Sequence, residues 1–257
     1  IGLDYKVNQD VMLYLASRRG YKSGGFNTRS TTMPTFAPEY LTDIEVGLKS
    51  QFSLGAADAR LNAAVFRGEY SDIQQTQILN VGGDFQSVIT NASEATIQGV
   101  EIEGTLLTPI GLELSGYYNY LDASYGQCIL GAFDCTGQKF EKVPENKYSI
   151  TGKYTIPLSG TMGDIDLSAT YAWQSDIFLN LTVLNDPTNY QSAYGLVNLR
   201  ADWNDFMGNP VRLSAFMTNA TDETYQVWHI GTYQSFGYGS GQFGEPRMWG
   251  FQVSADF

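Results

Sequence analysis

The sequence predicts an all-β chain that folds as a transmembrane antiparallel β-barrel, with short turns at one end and long loops at the other. Apolar and polar residues alternate through segments of roughly 10 to 17 residues, long enough for a tilted strand to cross a ~30 Å membrane core. The connections between these segments are alternately short and long, a pattern typical of outer-membrane barrels. Aromatic residues make up 14% of the chain, which suits the aromatic girdles of such barrels.

The alternation defines the strands in chain order. A partial strand at 1–7 comes first. The following strands are expected at 11–19, 40–53, 60–76, 94–107, 112–125, 145–156, 165–178, 192–203, 210–226 and 245–257. Residues 145–156 alternate most cleanly, because Tyr148, Ile150 and Tyr154 oppose Lys147 and Lys153.

The connections carry the residues that turns require, with Gly, Pro, Asn and Asp at the short ones. Short turns are expected near 8–10, 55–58, 109–111, 157–164 and 204–209. Long loops are expected at 20–39, 77–93, 126–144, 179–191 and 227–244. A β-sandwich gives no reason for this alternation, and no repeat near the 40–45 residues of a propeller blade is present.

The final segment, residues 245–257, has an aromatic row that reaches its last residue. Trp249, Phe251, Val253 and Phe257 fall on one face, with polar or small residues between them. A membrane barrel must close its wall with the last strand and turn these rings toward lipid. This row therefore favours a barrel over an ordinary half-buried strand.

Charged residues fall on the polar faces of the strands. They are Asp43, Glu45, Lys49, Glu101, Glu103, Lys147, Lys153, Asp166, Arg200, Asp202 and Arg212. A Lys or Arg turned toward lipid costs about 2–4 kcal/mol at the membrane midplane, so this face should line a wet or plugged lumen. It would serve either as a solute pathway or as a cross-strand lattice that stiffens the wall.

Composition and charge exclude several classes of protein. A net charge of −12 is unsuited to nucleic acid, which requires a basic surface. The sequence has no apolar run of about 18 residues, so a bundle of membrane helices is excluded. The first residues, IGLDYKV, lack the features of a signal peptide, and we expect a mature or truncated piece of a longer chain.

The two cysteines, Cys128 and Cys135, lie in one Gly-containing loop. A small loop disulfide is the favoured interpretation, and it implies an oxidising compartment. The alternative, a metal site, lacks a nearby His or further Cys.

No pattern of catalytic residues is found. The sequence has no GxSxG, HExxH, P-loop or EF-hand spacing, so we expect no enzyme, no cofactor and no bound metal. The main enzymatic alternative, a small outer-membrane barrel protease, would need carboxylates beside a His, and the only histidine, His229, has none close in sequence. A soluble carbohydrate-binding β-protein is the alternative of another class, which detergent-free solubility as a monomer would establish.

Several segments, taken together, match one family. They are RGYKSGGFN (19–27), Phe36 with Pro38 and Glu39, EVGLKS (45–50), LNAAVF (61–66), YSDIQ (70–74), Asn91-Ala92, GVEIEG (99–104), NATDETY (219–225) and GEPR (244–247) before Phe257. In this order and at strand ends, they resemble the barrel of TonB-dependent outer-membrane receptors over essentially the whole chain.

The resemblance implies a 22-stranded barrel in the outer membrane of a Gram-negative bacterium, with an amino-terminal plug inside it. This chain has about ten full strands and no plug or TonB box, so residues 1–257 resemble the carboxy-terminal half of such a barrel. The implied partners are TonB with ExbB and ExbD, reached through the missing plug, together with lipopolysaccharide and outer-membrane lipid. Phe257, with Trp249 and Phe251, would be the signal read by the barrel-assembly machinery.

The resemblance also implies that the outer loops bind a scarce nutrient. A ferric siderophore is the family's commonest ligand, and glycans, cobalamin and aromatic compounds are the alternatives. Aromatic rings supply stacking area with a polar edge. The candidate ligand-binding residues are Tyr21, Phe26, Trp228, His229, Tyr233, Phe236 and Tyr238, and loop packing or interfacial anchoring is the alternative role for each.

Overall fold

The computed structural model describes residues 1–81, 84–131, 133–181, 185–231 and 233–255, and its secondary structure is almost entirely β. In chain order the strands are β1 (Gly2–Lys6), β2 (Val11–Lys22), β3 (Gly25–Phe26), β4 (Thr35–Phe36), β5 (Glu39–Leu54), β6 (Ala57–Val81), β7 (Asp84–Leu107), β8 (Leu112–Leu130), β9 (Phe133–Asp134), β10 (Asn146–Pro157), β11 (Asp164–Gln174), β12 (Ile177–Phe178), β13 (Tyr190–Gln191), β14 (Tyr194–Asn204), β15 (Val211–Thr218), β16 (Gln226–Ile230), β17 (Ser240–Phe243) and β18 (Met248–Ala255). The described residues also include a 3₁₀ turn, Phe206–Gly208, and a one-turn helix, α1 (Tyr233–Phe236).

One antiparallel sheet contains all the long strands. Its order is β1-β2-β5-β6-β7-β8-β10-β11-β14-β15-β18, so each strand pairs with the next long strand in the chain. The pairs β3–β4, β12–β13 and β16–β17 lie in the long loops. β9 pairs with the end of β8. The predicted up-and-down wall of a barrel is confirmed, as an open sheet with β1 and β18 at its edges.

The two faces of the sheet have the predicted chemistry. On the charged face, cross-strand ion pairs join Arg18 to Asp43 and Lys153 to Asp166, both at 3.0 Å, and Arg200 pairs with Asp202 along β14 at 2.7 Å. Glu103 accepts a hydrogen bond from Asn62 on this face. The opposite, apolar face exposes large side chains on most of the long strands, including Val46, Val65, Ile102, Ile150 and Phe251.

The short turns are closed by local chemistry. The Asn8 side chain accepts hydrogen bonds from the N–H groups of Asp10 and Val11, both at 2.8 Å, which fixes the first turn. Gly55 has a φ of 66°, a left-handed conformation that glycine adopts without strain. These turns gather at one end of the sheet, so the long loops gather at the other.

Two predicted boundaries are wrong. The segment predicted as loop 77–93 belongs mainly to a long hairpin in which β6 runs to Val81 and β7 begins at Asp84. Apolar and polar residues do not alternate in this segment, so the two-residue period that identified the other strands is missing there. The strand predicted at 210–226 ends at Thr218, because Asn219 is left-handed with a φ of 47°.

Other strand ends differ less. The strand predicted at 165–178 ends at Gln174, β2 continues to Lys22, and β8 continues to Leu130. Within the described ranges, no helix has the length and apolar character that would carry it across a membrane.

Candidate functional site

The long-loop end of the sheet carries the candidate site, and its loops are tied to the strands by polar side chains. Glu39, at the start of β5, is buried and accepts hydrogen bonds from the Tyr70 hydroxyl and the Gln74 N–H, both at 2.7 Å. Lys22 lies 3.5 Å from the same carboxylate. Glu39 therefore joins β2, β5 and β6 where the loop 23–38 leaves the sheet.

Two asparagines hold the loop 23–38 against β7. The Asn27 side chain donates to the carbonyl of Ile89 and accepts from its N–H, both at 2.9 Å, as a neighbouring strand would. Asn91 does the same for Ala37, at 2.9 Å and 2.7 Å. These four bonds satisfy the backbone groups of Ile89 in β7 and of Ala37 in the loop, so they tie the loop to the strand.

A similar polar clasp, meaning a side chain that hydrogen-bonds the backbone of another segment, closes the loop after β15. Asn219 donates to the carbonyls of Glu223 at 2.8 Å and Glu245 at 3.1 Å, and its side-chain oxygen accepts from the Glu223 N–H at 2.8 Å. Asp222 accepts from the N–H of Arg247 at 3.0 Å. The NATDETY and GEPR segments therefore close the two ends of one loop onto each other.

A small apolar core lies among the loops. Cys128 and Cys135 form a disulfide bond and are fully buried. They pack with Ile73, Tyr125 and Leu181, while Phe140 covers Tyr125 with ring centroids 4.5 Å apart. The Leu181 N–H donates to Glu141 at 2.7 Å, so the loops after β8 and β11 are packed together.

Most of the candidate ligand-binding rings are exposed. Four of them lie on the segment formed by β16, α1 and β17, which we call the aromatic hairpin (residues 226–243): Trp228, Tyr233, Phe236 and Tyr238. Phe236 and Tyr238 lie with ring centroids 6.0 Å apart. The aromatic hairpin therefore presents apolar rings to solvent at the loop end.

The other two candidate rings lie on different elements. Tyr21 is near the end of β2, with its ring centroid 6.4 Å from that of Tyr40, and Phe26 ends β3. Both are exposed. They belong to the strands near one edge of the open sheet, whereas the aromatic hairpin precedes the strand at the other edge.

His229 differs from the other candidates because it is buried. Its Nε2 lies 2.8 Å from Asp186 Oδ2, and neither side chain has any exposed surface. Burial opposes ionisation of Asp186, but hydrogen bonds from Thr188 and His229 outweigh it and lower the pKa of this carboxyl. No carboxylate lies close to His229 in sequence, but the fold brings it to Asp186, 43 residues earlier in the chain.

A buried His–Asp pair is not an exposed hydrolytic site. A general base must reach the proton that it abstracts, directly or through one water, and this pair offers no surface to water or peptide. Among the residues that the structure describes, no group of three or more His, Cys, Asp or Glu side chains is placed to hold a metal ion. The pair therefore has a structural position, between the loops that follow β11 and β15.

Two of the three predicted assembly residues, Trp249 and Phe251, lie on β18. Trp249 and Phe251 are 69% and 76% exposed on the apolar face, with an edge-to-face arrangement at 5.9 Å. Phe257 lies outside the described residues.

Sequence reasoning missed the roles of several residues. Asp186, Thr188 and Gln226 were not identified, because the two short segments that hold them meet through the contact between Asp186 and His229, which are 43 residues apart in the chain. Glu39, Asn91 and Asn219 were identified only as parts of motifs. The signal that could have found them is the clustering of Asn and Asp at the ends of strands, where side chains replace missing backbone partners.

Comparisons with known proteins agree with this architecture. A family model described as TonB dependent receptor-like, β-barrel, matches residues 1–220. The ferric yersiniabactin uptake receptor FyuA from Yersinia pestis matches with a TM-score of 0.79 and 19% identity, over 100% of this chain and 36% of FyuA. The ferric preacinetobactin receptor BauA from Acinetobacter baumannii matches with a TM-score of 0.70 and 20% identity, over 100% of this chain and 36% of BauA.

A third solved structure is the pyoverdine outer membrane receptor FpvA from Pseudomonas aeruginosa PAO1, bound to pyoverdine. It matches with a TM-score of 0.69 and 18% identity, over 100% of this chain and 35% of FpvA. At these identities the structural matches show the fold alone. The chain spans about a third of the length of the receptors that it matches.

Proposed function

The chain belongs to the TonB-dependent receptor β-barrel family, and we propose that it is part of an outer-membrane receptor that imports an iron–siderophore complex. The observation that carries this proposal is the loop end of the sheet. Exposed aromatic rings stand there on loops that polar clasps and a disulfide hold in place. Such a surface offers stacking area at a low cost in loop ordering, which favours ligand capture.

The orientation follows from the lengths of the connections. Outer-membrane barrels have short periplasmic turns and long extracellular loops. In this proposal the aromatic hairpin and the loop 23–38 face the outside of the cell. The charged face lines the lumen, and the apolar face contacts lipid and lipopolysaccharide.

The open sheet supports the proposal that residues 1–257 are the carboxy-terminal half of a 22-stranded barrel. The outer edges of β1 and β18 have no partner strand in the described sheet. Unpaired backbone groups in a hydrocarbon core cost several kcal/mol each, so further strands must complete the wall. A plug inside the complete barrel would then connect the ligand to TonB, ExbB and ExbD.

The names of the structural neighbours favour an iron-chelate ligand. FyuA is described as a ferric yersiniabactin uptake receptor and BauA as a ferric preacinetobactin receptor. Glycans, cobalamin and aromatic compounds are the other ligand classes to be compared. All are small nutrients that an aromatic surface can contact by stacking.

The test is binding and uptake by the complete receptor. We expect one class of iron(III) chelate, in a panel that includes tris-hydroxamate and tris-catecholate complexes, to bind the purified receptor and to enter cells only when TonB is present. Trp228→Ala should weaken binding, whereas Trp203→Ala, at the turn end of β14, should not. Uptake that persists without TonB would contradict the transport mechanism, and binding of only glycans or cobalamin would contradict the ligand class.

A further inference from the structure

The strongest feature outside the ligand surface is the buried contact between the loops that follow β11 and β15. Asp186 and His229 meet at 2.8 Å with no exposed surface on either side chain. Removing a carboxylate from water is costly unless hydrogen bonds replace the lost solvent. A pair buried so completely in a loop is therefore maintained by specific partners.

The partners of Asp186 are all donors. The Thr188 hydroxyl and N–H donate to Asp186 Oδ1 at 2.7 Å and 2.8 Å, and the His229 ring approaches Oδ2. Both oxygens are therefore satisfied in the ionised state. This is consistent with the lowered pKa of the Asp186 carboxyl, which arises because these bonds outweigh the effect of burial.

The contact made by the other ring nitrogen of His229, Nδ1, assigns the tautomer of the ring. The Gln226 Nε2 donates to the carbonyl of Trp228 at 3.1 Å, which orients the amide so that its NH₂ also faces His229 Nδ1, at 3.4 Å. Since an NH₂ group can only donate, Nδ1 acts as the acceptor and the ring proton is assigned to Nε2, opposite Asp186. The Nε2–H group of His229 therefore donates to the Asp186 carboxylate.

The backbone of the aromatic hairpin at Gly239 packs directly against Thr188 and His229. A Cβ atom added to Gly239 would lie 2.1 Å from Thr188 Oγ1 and 2.8 Å from His229 Cε1, so the backbone of the hairpin passes against both side chains. His229 is paired with Gly241 across the hairpin. A second bond, from the Gln226 N–H to Gln191 Oε1 at 2.6 Å, ties the start of β16 to β13.

We propose that the buried pair Asp186 and His229, with Thr188 bonded to Asp186, forms a clasp that sets the position of the aromatic hairpin, so that these residues position the ligand-contacting rings without touching the ligand. The part of this inference that concerns ligand rests on the proposed function. The clasp itself rests only on the loop geometry. The two parts are tested by separate measurements on the complete receptor.

The first measurement is amide hydrogen exchange, which needs no ligand. His229→Leu leaves Asp186 Oδ2 buried without its donor, and we expect exchange across residues 226–243 to become about tenfold faster. His229→Gln keeps an N–H donor near the position of Nε2 and should remain within about threefold of the wild type. Asn27→Ala, which breaks a clasp in a different loop, is the matched control and should leave this segment unchanged.

The second measurement is affinity for iron(III) tris-hydroxamate and tris-catecholate chelates. For any chelate that the wild type binds, His229→Leu should weaken binding about tenfold with the barrel's unfolding transition unchanged, and His229→Gln should restore it. Equal exchange in His229→Leu and the wild type would overturn the clasp. Failure of the wild type to bind any chelate would overturn the proposed ligand class, while the exchange result still decides the clasp.

Discussion

Tyr14 and Gly47 show how single residues fit the wall of the sheet. They face each other on β2 and β5, and the Tyr14 ring lies over the glycine while its hydroxyl donates to Glu45 at 2.7 Å. A Cβ atom on Gly47 would lie 2.3 Å from this ring. Phe216 covers Gly250 in the same way. Glycine at these positions is therefore required by a neighbouring ring.

Gly47→Ala should destabilise the barrel by about 1–3 kcal/mol, because the ring must move and give up its bond to Glu45. The unfolding midpoint of the complete receptor in denaturant measures this effect. Gly104→Ala is the matched control, since its Cβ would meet nothing closer than 3.7 Å. If Tyr14→Ala failed to relieve the effect of Gly47→Ala, the ring contact would not be its cause.

The lowered pKa of Asp186 predicts that the aromatic hairpin becomes less ordered at acid pH. Its pKa is lowered in the folded protein because the bonds from Thr188 and His229 outweigh burial. Its stabilising contribution is thus present above the unfolded value of about 3.9 and is lost as the pH falls through the lower folded value. Hydrogen exchange of residues 226–243 should accelerate in that acid range, and Asp186→Asn should remove this dependence on pH.

At the scale of elements, the loops are organised by covalent and polar anchors. The Cys128–Cys135 disulfide is fully buried between the end of β8 and the loop that follows it. Cys128→Ser with Cys135→Ser should destabilise this loop by about 2–3 kcal/mol and leave the sheet intact. Limited proteolysis within residues 131–145, compared with the unfolding midpoint of the barrel, separates the two effects.

The strands with one apolar and one charged face could be predicted from sequence, because period-two alternation is a local property. The hairpin formed by β6 and β7 extends further than predicted. Its upper part was missed because apolar and polar residues do not alternate there. The end of β15 was missed because it depends on the conformation of Asn219 and its bonds across the loop to Glu245. The contact between Asp186 and His229 depends on two loops meeting in space, which no local pattern reports.

At the scale of the whole molecule, the two ends of the sheet have different chemistry. The loop end carries the exposed rings of the aromatic hairpin, and the turn end is closed by short connections. β18 runs from the loop end, at Met248, toward the turn end, at Ala255. The described end of β18, at Ala255, therefore lies at the turn end, far from the proposed ligand surface.

Phe257→Ala in the complete receptor should lower its amount in the outer membrane more than its ligand affinity per folded molecule. We expect this because β18 runs toward the turn end, away from the proposed ligand surface, and because the family resemblance gives the last residue a role in barrel assembly. Trp228→Ala should show the reverse, with a normal amount of receptor and weaker binding. Quantifying the membrane fraction alongside chelate titration on both variants separates these effects. If Phe257→Ala left abundance unchanged and abolished binding, the loop end would not be the outer end, and the proposed ligand surface would be wrong with it.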